Sequence, residues 1–267
     1  MNAIALGPLL LSTPRLYAFG CALLLLFASR YLLGLPAAQH SRWFNWLLVI
    51  WLLGARTVYV VLNWESYSIE PLDVLKVWQP GYNALGGLIA GLMWTAWALR
   101  KRLLAMIGGL AMVIGAASLW LVLVTLAPLG NDFAVNSLPE VTLEDIDGND
   151  VHLPSLAESG DLIIVNLWAT WCPPCLREMP LLEEAAKREG VSVVIANQGE
   201  DLLPIVRYLD AQALDFRYAL LDPSQTLSAQ FKAPGLPTTV LFDRQGNTLD
   251  VHVGELTRAQ LERWLED

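Results

Sequence analysis

The feature that most constrains this chain is an abrupt change of character near residue 127. Up to Ala127 there are eight basic residues against three acidic ones, a net of +5. From Pro128 onward there are nine against 23, a net of −14. The first part carries four apolar stretches, near Leu16–Leu35, Phe44–Leu62, Tyr82–Leu99 and Leu103–Leu126. Each is long enough, or nearly so, to cross about 30 Å of hydrocarbon. They lift the whole chain to a mean hydropathy of +0.44, too apolar for an ordinary soluble protein. The expected organisation is therefore an all-α membrane domain of about four transmembrane helices over residues 1–127, with the lipid bilayer as its partner. A linker over 128–137 and one compact domain over 138–267 follow. The acidic second part has nothing to neutralise phosphates, so nucleic acid is not an expected partner.

Loop charges orient the spans. The first connection carries Arg30 and Arg42 and the third carries Arg100, Lys101 and Arg102, whereas the second sets Glu65, Glu70 and Asp73 against Lys76. Basic loops one and three belong in the cytoplasm, which leaves both chain ends outside. The first apolar run is longer than a signal-peptide core and three more follow, so it reads as a retained span. Trp43, Trp46, Trp64 and Trp78 fall near span ends, as interfacial anchors do. Arg56 lies inside the second span and is a functional candidate by default. The competing reading is a snorkelling arginine, or one paired with Glu65 or Glu70. Cys21 reads as a small apolar core residue.

The stretch Gly54-Ala-Arg-Thr-Val-Tyr-Val-Val-Leu-Asn-Trp, with Pro71-Leu-Asp-Val-Leu-Lys-Val-Trp and Gly86-Gly-Leu-Ile-Ala-Gly, resembles the first half of prolipoprotein diacylglyceryl transferases. The resemblance covers roughly residues 5–100. That family carries a histidine directly before the Gly-Gly pair, where this chain has Leu85, and its later Arg/Asn/Glu spans have no counterpart here. The resemblance thus implies a tether rather than a transferase. A lipid- or lipoprotein-interacting module with an accessory redox domain is the alternative.

The second part alternates strands and helices. Val141–Ile146 and Val151–Leu153 around Asp147-Gly148 read as a hairpin. Leu162–Trp168 is a continuous apolar run, as suits a strand covered on both faces. Helical periodicity runs from Cys175 to about Arg188, with Gly190 as its stop. Val191–Ala196 is a further strand and Leu203–Ala213 a further helix. Thr239–Phe242 and Thr248–Val253 form an antiparallel pair through Asp243-Arg-Gln-Gly. Thr257 with Gln260 starts the last helix in the manner of a capping box. The predicted fold class is α/β, a mixed sheet flanked by helices.

The chemistry is concentrated in Trp171-Cys172-Pro173-Pro174-Cys175, where the buried strand passes into a helix. Three cysteines in all, Cys21, Cys172 and Cys175, cannot make a disulfide framework or a cysteine-rich metal site, so no metal is expected. A helix N-terminus favours the thiolate, which is the nucleophile. Cys172 is then the attacking sulfur and Cys175 the resolving one. Prolines at 173 and 174 donate no backbone hydrogen bond. The Cys172 thiolate is therefore poorly stabilised, which predicts a reductase rather than an oxidase. A single dithiol cannot pass electrons across a membrane, and an oxidising compartment soon exhausts a reductase. A membrane electron donor is therefore required.

Asn166-Leu-Trp-Ala-Thr-Trp-Cys-Pro-Pro-Cys-Leu-Arg-Glu-Met-Pro resembles the active-site segment of the thioredoxin-like, membrane-tethered reductases that include TlpA, ResA and the cytochrome c maturation thioredoxins. The likeness extends from Leu138 to the C-terminus. It implies a thioredoxin-like fold and a redox-active Cys172–Cys175 disulfide. It also implies a proton-transferring acid at Glu178 and a helix-kinking Pro180. Pro237, in Gly235-Leu-Pro-Thr-Thr, matches the cis-proline whose loop lies against the dithiol. Trp171, Leu236, Pro237 and Thr238 are the implied substrate-binding positions. A carboxyl beside Cys175 would have a raised pKa and could take the thiol proton. Asn166, where cytoplasmic thioredoxins have aspartate, cannot do so. No cofactor is implied. The implied partners are oxidised client proteins outside the cytoplasm, apocytochrome c among the candidates, and a membrane donor of CcdA or DsbD type. The implied location is the bacterial inner membrane, multi-pass, with the C-terminal domain in the periplasm or extracytoplasmic space.

Overall fold

Why the first part folds as it does follows from its solvent. In hydrocarbon every backbone polar group must be satisfied within the segment, so apolar runs become helices. The computed structural model of the chain describes residues 3–6, 9–69, 71–77, 79–126 and 135–266. Glu70, Trp78 and most of the expected linker lie outside the described residues. Two units emerge, Thr13–Pro128 and the remainder.

A short antiparallel ribbon, β1 (Ala3–Leu6) with β2 (Leu9–Ser12), precedes α1 (Thr13–Leu32). Then come α2 (Ala37–Leu62), the short α3 (Trp64–Ile69), a 3-10 turn at Pro71–Leu75, α4 (Ala84–Leu99) and α5 (Leu103–Leu126). Helices α1, α2 and α5 are long and apolar enough to cross a membrane. Helix α4 has 16 residues, about 24 Å at 1.5 Å per residue, because Asn83 caps its start by accepting the Gly86 N–H at 2.9 Å. From Thr13 to Leu126 the described residues form an all-helical membrane region, and the ribbon before it groups with the other unit.

Its glycines explain the close approach of α2 to α4. A Cβ on Gly54 would lie 2.4 Å from Ala90 Cβ, and one on Gly86 2.6 Å from Val58 Cβ. Small residues at such crossings let backbones pack where no hydrophobic drive exists. Buried polar groups here are matched. Trp43 is buried inside the bundle rather than anchored at its rim, and donates to Thr95 Oγ1 at 3.3 Å. Trp46 and Trp64 are exposed, as anchors are. His40 Nε2 and Ser29 Oγ lie 2.8 Å apart. Arg56 is buried rather than snorkelling, and among the described residues it pairs with no loop acid. Its guanidinium donates to the carbonyls of Asp73 (2.8 Å), Gly81 (3.0 Å), Lys76 (3.3 Å) and Val74 (3.5 Å). It also lies over the rings of Tyr67 and Tyr82.

The second unit contains β3 (Thr142–Asp145), β4 (Asp150–His152), β5 (Leu162–Trp168), α6 (Pro173–Ala186), β6 (Val191–Gln198) and α7 (Leu202–Gln212). It continues with β7 (Tyr218–Asp222), α8 (Thr226–Phe231), β8 (Thr238–Phe242), β9 (Thr248–Val253) and α9 (Arg258–Glu266). One seven-stranded sheet runs in the order β4-β3-β7-β6-β5-β8-β9, with β5, β6 and β7 parallel and the other pairs antiparallel. The fold is thioredoxin-like. Strand β7 and helix α8 join the elements expected from the sequence.

Alternation on β5 divides the two cores. Ile163, Val165 and Leu167 face a layer that includes Leu153, Phe231 and Phe242. Ile164 and Trp168 face the opposite layer, with Cys175, Met179, Leu182, Ile205 and Trp264. Asn166, between them in the period of two, points to the side of α6. The central strand thus ends at the dithiol on one face and delivers an amide beneath it.

Candidate active site

Strand β5 ends at Trp168, and Ala169-Thr170-Trp171 turns the chain into α6. Cys172 is the N-cap: its N–H donates to Ala169 O at 3.2 Å and its Sγ accepts the Cys175 N–H at 3.4 Å. Pro173 and Pro174 fill the first two helical positions, where a missing N–H is tolerated. Cys172 and Cys175 form a disulfide of 2.01 Å. Cys172 is 4% exposed and Cys175 wholly buried, while Trp171 beside them is 65% exposed.

The turn is fixed by a residue that sequence reasoning missed. Glu200 Oε2 accepts the Thr170 N–H at 2.6 Å and the Asn197 amide at 2.8 Å, and Glu200 Oε1 accepts the Thr170 hydroxyl. The signal was available: an acid two residues past the buried strand Val191–Gln198 sits at the carboxyl end of a parallel strand, where α/β sites assemble.

The Leu236–Pro237 peptide is cis. Thr238, the first residue of β8, is paired with Leu167 of β5, which brings this loop to the end of the strand that carries the dithiol. The Thr238 hydroxyl donates to Gly235 O at 2.7 Å, and Pro237 O accepts the Gly254 N–H at 2.9 Å. The Leu236 N–H and C=O have no protein partner among the described residues. Trp171, Leu236, Pro237 and Thr238 are thus all at this end of the sheet.

Glu178, one turn beyond Cys175, is buried. Its Oε1 accepts the Asn166 amide at 2.7 Å and its Oε2 accepts the Leu256 backbone N–H at 2.6 Å. The same Asn166 nitrogen reaches Thr239 Oγ1 at 2.9 Å, and Asn166 Oδ1 has no protein partner. Burial pushes the Glu178 carboxyl up to about 8, against the pull of those two donors; Glu255 adds to the rise and Arg177 opposes it. Arg177 does not pair with Glu178. It donates twice to Glu255 Oε2, at 2.6 and 2.9 Å, while Lys187 pairs with Glu183. The site therefore offers a dithiol at a helix start, a neighbouring carboxyl that changes charge near neutral pH, and a free backbone edge. That set suits thiol–disulfide exchange with acid–base help.

Two family descriptions match the chain. The Redoxin family covers residues 134–265, and the prolipoprotein diacylglyceryl transferase family covers residues 11–128. The thiol-disulfide oxidoreductase ResA of Halalkalibacterium halodurans is 34% identical over 127 residues, 46% of this chain and 70% of that protein. ResA of Geobacillus kaustophilus is 33% identical over 134 residues, 49% of this chain and 75% of that protein. The crystal structure of StoA from Bacillus subtilis superposes with a TM-score of 0.41 at 26% identity, over 48% of this chain and 99% of that one.

Proposed function

The chain belongs to the ResA-type thiol–disulfide oxidoreductases, and from that premise we propose that it is a reductase of disulfides in exported proteins, held at the outer face of a bacterial inner membrane. The observation that carries this reading is the pair of prolines at the start of α6. They leave the Cys175 N–H as the backbone donor that reaches Cys172 Sγ. A thiolate with so little support is not favoured in the reduced form, and strong oxidants of this type owe their potential to the opposite condition.

In the reaction, the Cys172 thiolate attacks one sulfur of a client cystine, forms a mixed disulfide and expels the other client sulfur as a thiolate. Glu178, ionised, takes the proton of the Cys175 thiol. The Cys175 thiolate then attacks Cys172 Sγ and releases the second client sulfur. Two electrons pass to the client and the chain is left with the Cys172–Cys175 bond. Trp171 offers apolar contact to the client, and the free edge at Leu236, beside Pro237 and Thr238, pairs with its extended backbone. A membrane donor of CcdA or DsbD type restores the dithiol. Exported proteins with oxidised cysteines are the clients, apocytochrome c before haem attachment among them.

The basic first and third loops support this orientation. The membrane region serves as an anchor: Leu85, at the family's histidine position, is exposed, and Arg56 is committed to loop carbonyls. The test is the reduction potential of the full chain in detergent, equilibrated against a dithiol buffer. A value nearer the roughly −270 mV of thioredoxin than the roughly −120 mV of a strong oxidant is expected, and the reverse would overturn the reductase reading. Trapping with Cys175→Ser, followed by identification of the mixed disulfides, names the clients and the donor.

A further inference from the structure

Glu178 is enclosed by a short ring of contacts that closes through two charged residues. Starting from its carboxylate, Oε2 meets the Leu256 N–H at 2.6 Å, and Leu256 is covalently next to Glu255. Glu255 receives Arg177 through two hydrogen bonds, and Arg177 is the residue before Glu178 on α6. The Glu255 side chain is 8% exposed, so its charge is little screened, whereas that of Arg177 is 48% exposed. His252 Nε2 at 3.1 Å from Glu255 O further fixes this β9–α9 turn. Both charges are held beside a buried carboxyl in a medium far less polarisable than water, where such charges act strongly.

We propose that Arg177 and Glu255 are positioning residues that set the proton affinity of Glu178 with opposite signs. The Glu255 carboxylate keeps the Glu178 proton on, the Arg177 guanidinium draws it off, and their ion pair balances the two. Asn166 from β5 and Thr239 from β8 are neutral, and burial holds the His252 imidazole of β9 below its ordinary range. Cys175 on α6 is the proton source rather than a fixed charge. Arg258 of α9 is engaged with Glu184 on α6, with Arg258 Nη1 and Nη2 at 2.8 and 2.7 Å from its two oxygens.

This inference rests on the reading that Glu178 serves the resolving step, and its test is chosen to be separable from that reading. In the full chain in detergent, the infrared band of the protonated carboxyl, assigned by its loss in Glu178→Gln, is followed against pH. Glu255→Gln should lower the midpoint by about one pH unit and Arg177→Gln should raise it by about the same. The double variant should return close to the wild-type midpoint. Glu255→Asp and Arg177→Lys, which keep the charges, should stay near it. A pair that only latches the turn shut would move both single variants in one direction, and that result overturns the proposal, as does an unmoved midpoint in Arg177→Gln. The pH profile of the resolving step, measured in parallel by stopped flow, should shift with the band. A shifted band with an unshifted rate profile would remove Glu178 from the mechanism while leaving the tuning intact.

Discussion

The two regions treat buried polarity in opposite ways. In the membrane region the buried polar side chains are bound to partners that hold the fold: Ser29 with His40, Trp43 with Thr95, and Arg56 with four carbonyls. In the redox domain, by contrast, Asn166 Oδ1, Trp168 Nε1, Asn197 Oδ1, Thr248 Oγ1 and His252 Nδ1 have no protein partner, and a buried carboxyl titrates near 8. All five of these atoms, among the described residues, belong to the redox domain. Several flank the dithiol: Asn166 bonds Glu178, Trp168 ends the strand before it, and Asn197 holds Glu200. A polar group left incompletely satisfied costs stability and persists where something else needs it. The contrast teaches that chemistry here belongs to the second region and architecture to the first.

The largest test of that contrast is Cys172→Ser. Disulfide exchange by the full chain should fall by at least about a thousandfold, because nothing else supplies a nucleophile at the helix start. Insulin reduction or release from a model cystine peptide measures it, and retained exchange would dissolve the distinction. Arg56→Ala should do the reverse. It removes a buried donor set from the carbonyls of Asp73, Val74, Lys76 and Gly81 and should destabilise the membrane region by about 3 kcal/mol or more. Thermal unfolding in detergent should show the loss, while exchange per folded molecule stays at the wild-type rate. A loss of exchange in properly folded Arg56→Ala would give the membrane region a part in the chemistry.

Glu178→Gln sharpens the comparison within the redox domain. The resolving step should slow about ten- to a hundredfold and lose its pH dependence near 8. Stability should respond as well. Between the ordinary carboxyl value of 4.5 and about 8, the folded chain holds a proton that the unfolded chain has released. Stability of the wild type therefore falls with rising pH across that window, at up to about 1.4 kcal/mol per unit. The glutamine variant should lack that slope in denaturant titrations at pH 5 and 8. The smallest effect is expected from Trp171→Ala, about three- to tenfold in KM for a protein client, with little change in kcat on a small disulfide.

What could be read in advance depended on how local the determinant was. The dithiol, the buried strand before it and the proline at 237 are written in short runs, because a helix start, a covered strand and a Gly-Leu-Pro-Thr turn are each decided by their neighbours. Strand β7 is five residues behind Arg217, and α8 is six, too short to impose a period on the sequence. Glu178 could be placed on the helix face of Cys175, but its depth depends on Leu256, which is 78 positions away. The Arg177–Glu255 pair is just as distant in sequence. Trp43 looked like an anchor because span ends are where tryptophans gather. Only the arrival of Thr95 from α4 makes it a core residue.

The unequal access to the two sulfurs carries a consequence for traffic. With Cys175 sealed and only a rim of Cys172 open, every passing cystine or small thiol must dock at a single gate. The burial of the inner sulfur predicts that bystanders are not captured there and that stalled adducts at Cys175 are not seen. One type of transient conjugate, through Cys172, is the expected outcome, with the occupant leaving by the door through which it came.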